Sequence, residues 1–202
     1  MQKYDQMIEP FRRISAVTAS QSPRKADRPK RTADEVDRVN YKDTLTGLYN
    51  RSYIDEYLPV AMRLAYQREQ PLSLIFVDID QFQLVNDRHG QIAGDLVLQH
   101  VAQLLQKKIR RPESWVARYG GDEFVLCIPG LDNSTARRTA NSIRVAIMGE
   151  RFPLESGEVK LTCSFGVQTL EKSDFQFSAL MLLHQAQEKL TLAKLAGRNT
   201  VV

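Results

Sequence analysis

Four acidic residues stand where apolar, strand-like runs give way to turns. Asp78 and Asp80 follow the run Leu72-Ser73-Leu74-Ile75-Phe76-Val77, and Asp122 and Glu123 follow the doublet Gly120-Gly121. Carboxylates are unusual at the mouth of a buried strand, because burial disfavours their charged form. If the two segments are neighbouring strands, Asp78 and Asp122 face one another and offer hard oxygen ligands at close range. Mg²⁺ takes one or two protein carboxylates and fills its octahedron with water and substrate phosphates, so this pair also implies a phosphate-bearing substrate. The same spacing fits acids on a solvated loop rim, and spacing alone leaves both readings open. His89, His100 and His184 form no ligand pattern with each other or with Cys127 and Cys163, so surface or packing roles are expected for them. The two cysteines, each in an apolar stretch, read as reduced core residues.

The elements that must position these acids are legible in the periodicity. Leu72 to Val77 is short, apolar and rich in β formers, hence a strand with Asp78 and Asp80 at its carboxyl end. Trp115 to Tyr119 and Phe124 to Ile128 flank Gly120-Gly121, a hairpin signal that sets Asp122 and Glu123 beside the tip. Before the first strand, Asp43 to Arg51 is rich in turn formers. A helical pattern then runs through Ile54, Leu58, Met62 and Tyr66, with Pro59 as a candidate bend. After Gly94-Asp95, residues Leu98, Val101, Leu104, Leu105 and Ile109 mark a core-facing helix, closing in Lys107-Lys108 and Arg110-Arg111 where the helix dipole favours cations. Asp132 to Met148 predicts a further helix and Val159 to Leu170 one or two strands. Leu180 to Ala196 predicts a last helix, stopped by Gly197. This order predicts an α+β fold, a sheet with helices packed against it.

The composition agrees with one catalytic domain. The chain has 202 residues, 43% hydrophobic and 26% charged, with a formal charge of +4. Much of the excess charge lies in residues 20–33, which hold two prolines and no large apolar side chain. They read as a basic linker, so no nucleic-acid partner is expected. Before it, residues 1–19 carry Ile8, Phe11, Ile14 and Val17 at helical spacing, limited by Pro10; after it, residues 34–42 read as a connecting helix to a domain at 43–202. No apolar run is long enough to span a bilayer, and Pro10 and Arg12-Arg13 interrupt any signal peptide, so a cytoplasmic protein is expected.

Arg118-Tyr119-Gly120-Gly121-Asp122-Glu123-Phe124 does not stand alone. With Ile79-Asp80-Gln81-Phe82, Asn86-Asp87, Gly94-Asp95, the opening Asp43 to Arg51 and the closing Ala193-Lys194-Leu195-Ala196-Gly197-Arg198-Asn199, it resembles the GGDEF family of diguanylate cyclases in order and spacing. The resemblance implies a central, mainly antiparallel, palm-like sheet flanked by helices. It implies a homodimer that condenses two GTP into cyclic di-GMP with Mg²⁺ or Mn²⁺. Asp78, Asp122 and the carbonyl of Ile79 correspond to metal ligands, and Glu123 to a group that deprotonates the ribose 3′-hydroxyl or assists the metal. Asn86 and Asp95 correspond to guanine-reading positions, where an Asp can accept from the N1 and N2 hydrogens of guanine. Lys194, Arg198 and the backbone at Phe82 correspond to phosphate contacts. An upstream sensor or a partner would act through residues 1–42.

The chain also departs from the family. Gln83 stands where a Lys is usual against the phosphates, a loss of roughly 1.5–3 kcal/mol. Gln187, Lys189 and Thr191 replace the usual Asp, Ala and Tyr, and Gln91 a frequent His. The family's product-inhibition motif is an Arg-x-x-Asp. Here it reads Arg111-Pro112-Glu113-Ser114, so Arg111 lacks its carboxylate and the inhibitory site is expected to be degenerate. The other reading is a domain that binds GTP or a partner without turnover.

Overall fold

The computed structural model describes residues 41–154, 157–171 and 178–202. The expected segments 1–19 and 20–33 lie outside the described residues. Of the connecting helix at 34–42 only Tyr41 and Lys42 are described, and Lys42 is bridged to Tyr49. In chain order the elements are α1 (Arg51–Gln67), β1 (Leu72–Ile79), α2 (Phe82–His89), α3 (Gln91–Lys108), β2 (Trp115–Gly120) and β3 (Glu123–Pro129). They continue with α4 (Asn133–Gly149), β4 (Phe152–Leu154), β5 (Gly157–Val159), β6 (Cys163–Leu170) and α5 (Ala179–Leu195). Four strands form one sheet in the order β2-β3-β1-β6, every pairing antiparallel, and β4 and β5 form a separate small ribbon.

β1 is central and buried along its whole length. Its side chains alternate between two cores, as the period of a pleated strand requires. Ile75, Val77 and Ile79 pack with Val97, Val101 and Leu105 of α3 and Ala136, Ala140 and Ile143 of α4. Leu72, Leu74 and Phe76 pack with Ile54, Leu58 and Met62 of α1 and Leu182, Ala186 and Leu190 of α5. Helices therefore cover both faces of the sheet. α5 comes closest at Gly166 of β6, where a Cβ would lie 2.1 Å from the Ala186 carbonyl oxygen and 2.3 Å from the Leu190 nitrogen. Any side chain there would push α5 off the sheet.

Several boundaries differ from expectation for local reasons. α1 starts where the Asn50 side chain accepts from the Tyr53 N–H and continues through Pro59. Tyr66 is 54% exposed and so is not part of its buried stripe. α3 begins at Gln91, so Gly94 and Asp95 lie inside its first turns rather than ahead of it. It ends at Lys108, which leaves Arg110 and Arg111 beyond the helix. α2 and the β4–β5 ribbon were not anticipated: α2 has eight residues and buries only Val85, too little for a periodic signal. Among the described residues no helix is long and apolar enough to cross a membrane.

Candidate active site at the end of the central strands

Antiparallel register brings the acids together. Asp78 pairs with Glu123 on one side and with Ser164 on the other. The Ile79 N–H donates to the Asp122 carbonyl at 3.4 Å, which ties the hairpin turn to the end of β1. Asp78 is only 5% exposed. Lys194, from the last turn of α5, reaches it with Nζ 2.6 Å from Oδ2. Burial, with added repulsion from Asp122 and Glu123, pushes the Asp78 carboxyl up to about 6 although Lys194 opposes it. Burial also raises Glu123, again with Asp122 adding to the shift and Lys194 and Arg51 opposing it. Lys194, with Arg51 acting at Glu123, thus faces three carboxyl groups, and a divalent cation would relieve that imbalance.

The donor set fits Mg²⁺ or Mn²⁺. Its oxygens are hard, and two carboxylates leave most of an octahedron for water and phosphate. Among the described residues no group of three or more His, Cys, Asp or Glu side chains forms a cage that would hold a metal by itself. A metal here would therefore share its coordination with a ligand.

Asp80, two residues on, is engaged differently. Its carboxylate accepts from Thr162 Oγ1 and Ser164 Oγ, both at 2.6 Å, and from the Asn199 N–H at 2.9 Å. Its own N–H donates to the Thr162 carbonyl. These bonds pin the end of β1 to the start of β6 and to the loop after α5. In that loop Gly197, Arg198 and Asn199 all have positive φ, and pairing of Thr200 and Val202 with Phe165 and Val167 holds the segment against β6.

The hairpin tip is braced from outside the sheet. Nε and Nη2 of Arg118 donate to the Gly121 carbonyl at 2.8 and 2.7 Å, while Nη1 lies 3.3 Å from Asp43 Oδ1. Burial alone would raise the Asp43 carboxyl, but hydrogen bonds from the Thr46 N–H and hydroxyl, with the Arg118 charge, hold it below its ordinary value. Arg118 therefore links the turn before α1 to the turn that carries Asp122. The residue types gave no direct sign of this brace or of Asp80's role.

The remaining expected site residues fall in three places. Asn86 of α2 packs against Gly94 of α3, the residue before Asp95. A Cβ on Gly94 would lie 1.9 Å from Asn86 Oδ1, and that oxygen is buried without a hydrogen-bond partner. Phe82 opens α2 after Gln81, whose backbone is left-handed and whose side chain does not cap the helix. Gln83 donates to Asp87 at 2.8 Å, one turn along α2. Arg198 lies in the loop after α5, four residues beyond Lys194. Arg111 is apart from all of these, in the loop before β2 and so at the far end of that strand from the hairpin tip. In the same loop Ser114 Oγ is buried without a partner, and Glu113 pairs with Arg68 instead.

The family described as Diguanylate cyclase, GGDEF domain, matches residues 40–200. The chain is 33% identical over 157 residues to diguanylate cyclase DgcP of Pseudomonas aeruginosa, covering 78% of this chain and 23% of that protein. It is 34% identical over 188 residues to response regulator PleD of Caulobacter vibrioides, covering 92% and 40%. The chain thus spans less than half the length of either relative. Among solved structures, the GGDEF domain of DgcB from Caulobacter crescentus in complex with c-di-GMP is similar with a TM-score of 0.76 and 29% identity, over 89% of this chain and 98% of that one.

Proposed function

The chain belongs to the GGDEF diguanylate cyclase family, and from that premise we propose that it condenses two GTP into cyclic di-GMP, releasing two pyrophosphates, in bacterial second-messenger signalling. The observation that carries the proposal is the convergence of Asp78, Asp122 and Glu123 at the mouth of β1 with Lys194 as their nearest cation. Asp78, Asp122 and the Ile79 carbonyl would hold Mg²⁺ or Mn²⁺, which when bound supplies Lewis-acid stabilisation of charge on the phosphoryl oxygens.

In this proposal Glu123, with its raised carboxyl, accepts the proton of an attacking ribose 3′-hydroxyl. Asn86 and Asp95 read the guanine edge with their side-chain acceptors. Lys194, Arg198 and the N–H groups at the start of α2 from Phe82 orient the phosphates for in-line displacement of pyrophosphate. Lys194 would exchange its bond to Asp78 for the phosphates. One subunit offers one such site, so two must face each other about a two-fold axis. Residues 1–42 would receive an upstream sensor or partner.

A second reading is a domain that binds GTP without turnover, and Gln83 favours it, because its amide is bonded to Asp87 and no charge stands at that position. One experiment separates the two. Concentrated protein is incubated with GTP and Mg²⁺, and products are resolved by chromatography. Cyclic di-GMP that disappears in both Asp122→Ala and Glu123→Ala supports the cyclase. GTP binding with no product supports the regulator.

A further inference from the structure

A cavity of about 540 Å³ lies between α2, the segment leading into β6 and the loop after α5. Its lining includes Gln81 and Arg88 from α2, Lys160 ahead of β6, and Arg198. Among the described residues the side chains of Arg88, Lys160 and Arg198 have no hydrogen-bond or ion-pair partner. The one carboxylate in the lining, Asp80, already accepts from Thr162, Ser164 and Asn199. Among the described residues, three cations therefore line a partly enclosed space whose one carboxylate is already satisfied.

A helix C-terminus accounts for Arg88 taken singly, and a solvated loop accounts for Lys160. Neither accounts for their convergence with Arg198 on one cavity. Walls of one sign and low dielectric focus the field and concentrate ions of the other sign. Guanidinium and ammonium groups offer several donors to phosphate oxygens. At the same edge Gln81 leaves the first N–H groups of α2 without a side-chain cap. The cavity shares Arg198 with the proposed phosphate contacts and adjoins Phe82 through Gln81.

We propose that this cavity binds linked phosphates, and that in turnover it receives the terminal phosphates of GTP and the leaving pyrophosphate, with Arg88 and Lys160 as their contacts. The two side chains would supply, from the far side of α2, positive charge that position 83 lacks. The identity of the ligand in turnover rests on the cyclase reading, whereas the binding of linked phosphate does not.

The test is calorimetric titration of the full chain with inorganic pyrophosphate in EDTA, which needs no turnover. The wild type should bind, and the double variant R88A/K160A should bind at least about tenfold more weakly while keeping its thermal melting. R88K/K160R, with both charges retained, should stay within about threefold of the wild type. No binding by the wild type, or equal binding by R88A/K160A, overturns the proposal. In turnover, pyrophosphate should inhibit R88A/K160A about tenfold less strongly than the wild type, and unchanged inhibition in an active enzyme also overturns it. A protein that binds pyrophosphate through these residues and makes no cyclic di-GMP would instead refute the cyclase reading and leave the cavity standing.

Discussion

Asp78 and Asp80 sit two residues apart at the end of one strand, both nearly excluded from solvent, at 5% and 8% exposure, and they serve opposite ends. Asp80 faces β6 and the loop after α5, where two hydroxyls and a backbone N–H meet its oxygens. Asp78 faces β3, where Glu123 lies across the ladder, Asp122 lies beside it and Lys194 is the cation bonded to it. A buried carboxylate whose lone pairs are met by neutral donors is part of the architecture. One left among like charges has capacity to spare for a ligand. Burial and residue type are the same in both, so the difference lies in the partners.

A matched substitution would break or sharpen this contrast. Asp78→Asn removes a proposed metal ligand with little change of shape, and cyclic di-GMP formation should fall at least roughly a thousandfold, measured as product per enzyme at saturating GTP. Residual activity within tenfold of the wild type would remove Asp78 from the site. Asp80→Asn should act on stability instead. An amide can keep accepting from Thr162 and Asn199 only with its N–H₂ turned to Ser164 Oγ, so the Ser164 hydroxyl loses its acceptor and the remaining bonds lose their charge. The expected loss is about 3 kcal/mol, or roughly 6–12 °C in melting temperature for a domain of this size. An unchanged melting curve would contradict the assignment of Asp80 to the scaffold.

The same Asp78→Asn protein should be more stable than the wild type, and only where Asp78 is charged. The folded carboxyl stands at about 6 against an ordinary 3.8, chiefly through burial. An acid raised on folding holds its proton more tightly in the native state, so the Asp78 contribution is neutral below about pH 4, turns unfavourable as pH rises from 4 to 6 and stays so above. Removing the charge should recover about 1–3 kcal/mol at pH 7.5 to 8 and nothing below pH 4. Chemical denaturation of both proteins across that range reads the difference directly. A gain independent of pH would mean that packing, rather than charge, separates Asp78 from Asp80.

This contrast explains what could be read from residues alone. β1 is legible as a short continuous apolar run rich in β formers, the β2–β3 hairpin from the β-prone segments flanking Gly120-Gly121, and α4 and α5 from helical spacing opened at Asp132 or stopped at Gly197. That Asp78 meets the hairpin acids depends on the two segments being neighbouring strands, which the residues alone leave open, and the register makes Glu123 rather than Asp122 its cross-strand partner. The division of labour between Asp78 and Asp80 is not legible in the sequence, because the donors to Asp80 come from Thr162 and Ser164, 82 and 84 residues away. In the sequence Gly94 marks a helix boundary. Its actual constraint is the approach of Asn86 from another helix, which leaves no local mark. The Arg118 brace to Asp43 is hidden for the same reason, since it spans 75 residues.

The smallest predicted effect concerns the cation count on the ligand side of Asp78. Gln83→Lys would restore a charge where the family usually has one, and an additional charged contact to phosphate is worth roughly 1.5–3 kcal/mol when nothing competes for it. Here Asp87 competes, one turn along α2 and already bonded to Gln83. An i,i+4 ion pair on an exposed helix face is worth only about 0.3–0.5 kcal/mol, so it would reduce the gain without cancelling it. Because the new contact is exposed and screened, the lower end of that range applies, and the KM for GTP should fall roughly fivefold to tenfold, more at low salt than at high. Gln83→Lys combined with Asp87→Asn should give the full gain. If neither variant changes KM, the start of α2 does not face the phosphates, and the uncompensated acids at Asp78 would have to be matched by cations from another element.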